Sequence, residues 1–145
     1  MIVIKSPHTK DEFKAYYALR YRVLREPWGQ PKGTEKDDYE PISQHFMAVD
    51  DGTGEIVGVV KLLERAPEIA WFSHLAVALE YQRKGIGRLL VEHMEKLAHQ
   101  QGYTAIGLLS RLTTTEYFER FGYQIKDMPT HLFGTVSTVW MEKKL

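Results

Sequence analysis

The residues best placed to do chemistry lie between His74 and Leu90. His74-Leu75-Ala76-Val77 reads as the end of a strand, Ala78-Leu79-Glu80-Tyr81 carries the chain off it, and Gln82-Arg83-Lys84-Gly85-Ile86-Gly87-Arg88 opens a helical pattern. The first N–H groups of a helix lack intrahelical acceptors and lie at the positive end of its macrodipole, so they attract anions. Gly85 and Gly87 let a pyrophosphate come close to the main chain, and Arg83, Lys84 and Arg88 add positive charge around it. A glycine turn that merely enters a solvated helix shows the same G-x-G, so the glycines alone do not separate the two readings. Two other phosphate loops are excluded: the Gly-Lys-Ser/Thr ending of a Walker loop is absent, and Leu90 stands where a dinucleotide fingerprint needs a small residue.

The surrounding elements must hold that loop. Ile2 to Lys5 predicts a short strand. Thr9 and Glu12 form a capping box for a helix whose apolar residues Phe13, Tyr16, Tyr17, Val23 and Leu24 recur at helical spacing, and which ends near Glu26, before Pro27. Pro27 to Pro41 is rich in breakers and charges and reads as a surface loop or short helix that lines or covers a site. Gln44 to Val49 and Glu55 to Leu63 are strands joined by Asp50-Asp51-Gly52-Thr53-Gly54, which is hairpin chemistry, and Ile69 to Val77 is the next strand. Gly85 to Gln101 is the clearest helix, with Ile86, Leu89, Leu90, Met94, Leu97 and Ala98 on one face and Arg88, Glu92, Glu95 and Lys96 on the other; Gly102 ends it. Ala105 to Leu109 reads as a strand buried on both faces. Thr113 and Glu116 suggest a second capping box, opening a short helix with Tyr117, Phe118 and Phe121 that stops at Gly122. Tyr123 to Ile125 and Leu132 to Met141 supply two closing strands. The sum is an α/β domain, a mixed sheet flanked by helices, spanning residues 1–145 as one unit.

Composition narrows the partners. A formal net charge of +0 argues against a surface built for nucleic acid or an anionic membrane. With no cysteine there is no disulfide, thiolate metal site or cysteine nucleophile, and no metal is expected. No apolar run approaches the ~18 residues of a membrane span, and the expected location is the cytoplasm.

Gln82-x-x-Gly85-x-Gly87, following Leu75-Ala76-Val77, resembles the Q/R-x-x-G-x-G/A coenzyme A loop of the GNAT acetyltransferases. Downstream, Tyr117-Phe118-Glu119-Arg120-Phe121-Gly122-Tyr123 is similar to that family's F-Y-x-x-x-G-F segment, and the element order of the rest agrees. The resemblance implies an acyl-CoA-binding fold with a splayed parallel strand pair, between whose members the pantetheine arm lies like an added strand. Acetyl-CoA is then the co-substrate, held by Leu75, Ala76, Val77, Gln82, Arg83, Lys84, Gly85, Ile86, Gly87, Arg88, Arg111 and Phe118. Two of these depart from the family pattern: Arg111 stands at an asparagine position, and Phe118 at that of the tyrosine that often protonates the thiolate. Tyr117 is one helical step off that face and is read as packing.

The implied activity is direct acetyl transfer from acetyl-CoA to a primary amine of a small molecule or peptide, by a monomer or homodimer. The alternative is a non-catalytic acyl-CoA-binding or sensing module, kept open by the missing tyrosine and the unassigned base. Acyl transfer needs an unprotonated amine, a donor for the oxyanion and an outlet for the thiolate. The resemblance makes the Leu75 N–H the oxyanion donor. A thiol near ~8.5 leaves as thiolate more readily than an amine near ~10.4 loses its proton, so the base matters more than the acid. Trp71 and Ser73 occupy the family's usual base positions and neither is a base. Glu64, His74 and His45 are the candidates, beside a water chain; strand alternation puts His74 on the face opposite Trp71 and Ser73. On the acceptor side the resemblance places Tyr17, Arg20, Arg22, Arg25, Trp28 and Gln30. Their arginines either clamp an acceptor anion or form a solvated helix face, and Trp28 and Trp71 either line a pocket or pack.

Overall fold

The computed structural model describes residues 1–127, 130–132 and 136–145. Its strands are β1 (Ile2–Lys5), β2 (Gln44–Asp50), β3 (Glu55–Ala66), β4 (Ile69–Val77), β5 (Ala105–Arg111), β6 (Gln124–Ile125), β7 (Thr130–Leu132) and β8 (Val136–Lys144), and its α-helices are α1 (Lys10–Leu24), α2 (Ile86–Gln100) and α3 (Thr115–Glu119). The strands pair in the order β1-β2-β3-β4-β5-β8-β6, with β7 also on β8. The sheet is mixed: β4 and β5 run parallel from Ile69↔Ala105 to Trp71↔Gly107, whereas β1–β2, β2–β3, β5–β8, β6–β8 and β7–β8 are antiparallel. Among the described residues no helix is long and apolar enough to cross a membrane.

Contacts group the chain into two compact units, Met1–Leu63 with His74–Met94, and Glu64–Ser73 with Glu95–Leu145. In the first, α1 begins as the sequence predicts. The Thr9 hydroxyl accepts from the Glu12 N–H at 3.0 Å, and Glu12 Oε1 accepts from the amides of Thr9 and His8. Those two amides and Lys5 hold the Glu12 carboxyl down to about 2. The helix ends at Leu24, two residues earlier than the spacing predicts, and Pro27 falls in a 3-10 turn, Glu26–Trp28. Tyr16 and Leu19 of α1 pack with Met47, Val49, Val59, Ala76 and Ala78. The head of α2 seats on β3 at Gly58, where a Cβ would come within 2.9 Å of Leu90 Cδ1 and 3.2 Å of Ile86 Cγ2. A glycine there lets helix and strand approach.

In the second unit, β5 and β8 are in register from Ala105↔Lys144 to Arg111↔Thr138. Phe72, Phe118 and Tyr123 form an aromatic group, with ring centroids 5.9 to 6.2 Å apart. The Tyr123 hydroxyl donates to Glu95 at 2.8 Å, and Lys143 Nζ reaches the same carboxylate oxygen at 3.1 Å.

Two expectations for this part of the chain are corrected. Thr113 and Glu116 form no capping box. Residues Leu112–Thr114 are a 3-10 turn, Thr114 stands at the N-cap of α3 without a capping bond, and its hydroxyl goes to the Arg111 carbonyl at 3.1 Å and to Ser110 Oγ at 2.9 Å. α3 ends at Glu119, short of Gly122. The closing strand expected from Leu132 to Met141 is two strands, since Leu132 ends β7 and Val136 begins β8 in an antiparallel pair. The intervening residues 133–135 lie outside the described part of the chain.

Candidate functional site

The loop between β4 and α2 has the backbone of an anion cradle. Arg83 and Gly85 both take positive φ, 63° and 81°, with one residue between them. Such alternation turns successive N–H groups toward one point. The first backbone bond of α2 runs from Leu89 N–H to Gly85 C=O at 3.0 Å, and among the described residues no backbone carbonyl accepts from the amides of 83–87. Ile86 is buried and anchors the helix start, while Arg83, Lys84, Gly85 and Arg88 are exposed. Lys84 Nζ lies 5.2 Å from the centre of the Tyr81 ring, and Arg88 pairs with Glu92 one turn along at 3.3 Å. Gln82 Nε2 donates to the Val77 carbonyl at 3.0 Å, tying the loop to the strand end. A carbonyl has two lone pairs, so Val77 O keeps one for another donor.

On β4, Leu75 is half-buried, Ala76 is buried and Val77 is half-buried. His74 has φ 54°, and the alternation of burial falters at Ser73, His74 and Leu75, three half-buried neighbours. A positive φ on a non-glycine residue is a strained conformation. The face assigned to His74 from strict alternation therefore does not hold. Burial, followed by the charges of Arg20, Lys61 and Arg25, holds the imidazole down to about 2, with Glu40 opposing. His74 is neutral throughout the physiological range.

Arg20 and Lys61 belong to a buried network that sequence reasoning missed. Arg20 and Lys61 are both at 0% exposure and share one oxygen, Glu40 Oε2, at 2.9 and 3.0 Å. Lys61 also pairs with Asp37 Oδ1 at 2.6 Å, and the Asp37 amide donates to Glu40 Oε2 at 3.0 Å. The Glu40 Oε1 accepts from the Tyr17 hydroxyl at 3.1 Å. Arg20 donates in addition to the Glu35 carbonyl at 3.1 Å and to the Tyr16 oxygen at 2.9 Å. His45 Nε2 faces the Glu40 carbonyl at 2.9 Å; a carbonyl only accepts, so Nε2 carries the hydrogen and Nδ1 accepts from the Tyr16 hydroxyl at 2.9 Å. Burial lowers the pKa of His45, in keeping with this neutral tautomer, and both ring nitrogens are engaged. The Tyr16 hydroxyl also reaches the Val60 carbonyl at 3.2 Å, so its one hydrogen is shared between that oxygen and Nδ1.

The other expected residues are placed as follows. Arg20 is neither solvated nor open to an acceptor, because its counter-ion is Glu40 of the same chain. Arg25 Nε donates to the Thr34 carbonyl at 2.9 Å, whereas Arg22 and Trp28 are exposed. Gln30 gives its carbonyl to the Tyr21 hydroxyl at 3.0 Å. Glu64 lies in the second unit, exposed, with Oε1 accepting from the Tyr103 hydroxyl at 3.1 Å. Arg111 ends β5, its carbonyl taken by Ser110 and Thr114. Phe118 is buried among Phe72, Tyr117 and Tyr123, and Tyr117 is exposed with its ring edge-on to Phe118 and Phe121. The signal that would have found the network is the run of acids Glu35, Asp37, Asp38 and Glu40 after a helix carrying Arg20, Arg22 and Arg25.

A strand that hands its chain to an amide cradle at the head of a long helix, in a mixed sheet with one parallel pair, is the architecture of N-acyltransferases that draw on coenzyme A. The acetyltransferase (GNAT) family model matches residues 12–123, and the chain belongs to that family, whose general activity is acetyl transfer from acetyl-CoA. A Bacillus subtilis relative is 25% identical over 130 residues, 83% of this chain and 82% of its own. A crystal structure from Lactobacillus plantarum superposes with a TM-score of 0.88 at 24% identity, covering 99% of this chain and 98% of that one. A GNAT acetyltransferase from Elizabethkingia anophelis, solved with acetyl-CoA bound, has a TM-score of 0.77 at 21% identity, over 99% of this chain and 98% of its own.

Proposed function

We propose that residues 1–145 act as one cytoplasmic domain that moves acetyl from acetyl-CoA to a primary amine of a small molecule or peptide by direct transfer. The observation that carries this reading is the amide cradle of 83–87, with its two positive φ values and its flanking cations. In it the diphosphate lies on those amides, with Arg83, Lys84 and Arg88 supplying charge and Gln82 fixing the strand end. The main chain of Leu75 and Val77 meets the pantetheine amides, and the Leu75 N–H stabilises the oxyanion.

The amine must arrive or become unprotonated. An imidazole at about 2 cannot take a proton from an ammonium near ~10.4, a gap worth roughly 11 kcal/mol. His74 in this reading is a neutral hydrogen-bonding group, and the proton passes to water. Phe118 offers no proton, and the thiolate leaves unaided.

The test is release of free thiol from acetyl-CoA across a panel of primary amines, with CoA affinity measured in parallel. Amine-dependent release is expected. Tight CoA binding without turnover on any amine would move the chain to the sensing class instead.

A further inference from the structure

Of the three cations beside the amide cradle, Lys84 is the one whose side chain is both held in place and free of a carboxylate. Arg88 is tied to Glu92 at 3.3 Å, and no ion pair or ring contact among the described residues holds Arg83. Lys84 makes no ion pair among the described residues either, but its Nζ lies 5.2 Å from the centre of the Tyr81 ring, within the range of a cation–π contact. Tyr81 is a firm seat. It packs against the core cluster built on Tyr16 and Met47, and its amide donates to the Ala78 carbonyl at 2.9 Å. Its hydroxyl reaches Asp50 Oδ2 at 3.2 Å and Glu55 Oε2 at 3.4 Å, so two carboxylates from the paired ends of β2 and β3 share its one hydrogen. All of these residues belong to the first compact unit.

The amides of 83–87 are a place for one anion, turned toward a common point by the positive φ of Arg83 and Gly85. Lys84, between those two, sends its ammonium back over the ring of a residue three positions earlier. Coenzyme A carries a second anion on the ribose that bears the diphosphate, a 3′-phosphate that is close to dianionic at neutral pH. Amides already occupied by the diphosphate have no further N–H for it. An ammonium in the same loop, seated on a fixed ring and unpaired, presents the donors and the charge that a phosphate monoester takes. The inference rests on the coenzyme A reading of the cradle.

We propose that Lys84, seated on Tyr81, recognises the 3′-phosphate of coenzyme A, and that this contact makes the protein select coenzyme A over dephospho-coenzyme A, which differs only in lacking that group. Calorimetric titration of the full chain with each nucleotide, at one salt concentration, tests it. Wild type should bind coenzyme A roughly 5- to 20-fold tighter, as expected for a charge-assisted hydrogen bond discounted for solvent exposure. Lys84→Gln should bring that ratio close to one by weakening coenzyme A alone. Tyr81→Leu, which removes the seat, should lower the ratio in the same way, whereas Tyr81→Phe, which keeps the ring, should retain most of it. Arg83→Gln and Arg88→Gln should weaken both nucleotides alike. Equal affinities in wild type, or a ratio that survives in Lys84→Gln, overturns the proposal while the amide cradle stands. Binding of neither nucleotide removes the coenzyme A reading itself, and this inference with it.

Discussion

Replacing Glu40 by glutamine tests the buried network directly. The substitution keeps size and most hydrogen-bond geometry but removes the one negative charge that Arg20 and Lys61 share, leaving, among the described residues, Asp37 as the remaining carboxylate at Lys61 and none at Arg20. Both cations are at 0% exposure, so neither can recover hydration without the fold opening. Removing one partner of a buried ion pair costs about 3–5 kcal/mol, a large share of the ~5–15 kcal/mol that holds a domain. For a chain of this size that corresponds to a fall in Tm of roughly 10–15 °C, read by circular dichroism at neutral pH. The pH dependence gives a second readout. Burial pushes the Glu40 carboxyl up, but the Asp37 amide, Arg20 and Lys61 outweigh it and hold the group at about 2 against an ordinary 4.5. A depressed carboxyl contributes stability that is complete above its unfolded pKa and is lost as pH falls through its folded one. The gap in Tm between wild type and Glu40→Gln should therefore be constant above pH 4.5 and close as pH drops toward about 2. A fall of less than about 3 °C at neutral pH, or a gap that ignores acid, would refute the claim that this carboxylate is the network's counter-ion.

Two further outcomes follow from the site. The His74 imidazole should show no titration by NMR between about pH 5 and 8, since burial and nearby cations keep it neutral; an inflection in that window would contradict the environment described. Gly87→Glu should abolish CoA binding in a calorimetric titration, because it sets an anion against the amide cradle, and unchanged affinity would remove the loop from the cofactor site.

What was legible in the sequence was local. The Thr9/Glu12 box, the Asp50 to Gly54 hairpin and the amphipathic α2 each state their structure within a few residues, and each is found where the spacing puts it. The same rule misled at Thr113 and Glu116, because Thr113 lies inside a 3-10 turn and the N-cap falls to Thr114, whose hydroxyl is engaged by Ser110 and the Arg111 carbonyl. The buried charges were illegible for a different reason. Arg20 reads as a solvated helix residue, and the residues that justify burying it, Glu35 and Glu40, arrive 15 and 20 positions later. Nor does a positive φ at His74 or Arg83 leave a mark in composition, as it does where glycine occupies such a site. The cradle was expected from Gly85 and Gly87, but half of its curvature comes from an arginine.

Gly107 sets a limit on how this protein can drift. Any side chain there would strike the Trp140 ring and also the main-chain oxygen of Met141. Trimming the indole would relieve the first collision and leave the second, so no single compensating change at position 140 makes room. Variation at 107 must wait for β5 and β8 to move apart, and the ladder of pairs from Ala105 to Arg111 resists that along its whole length.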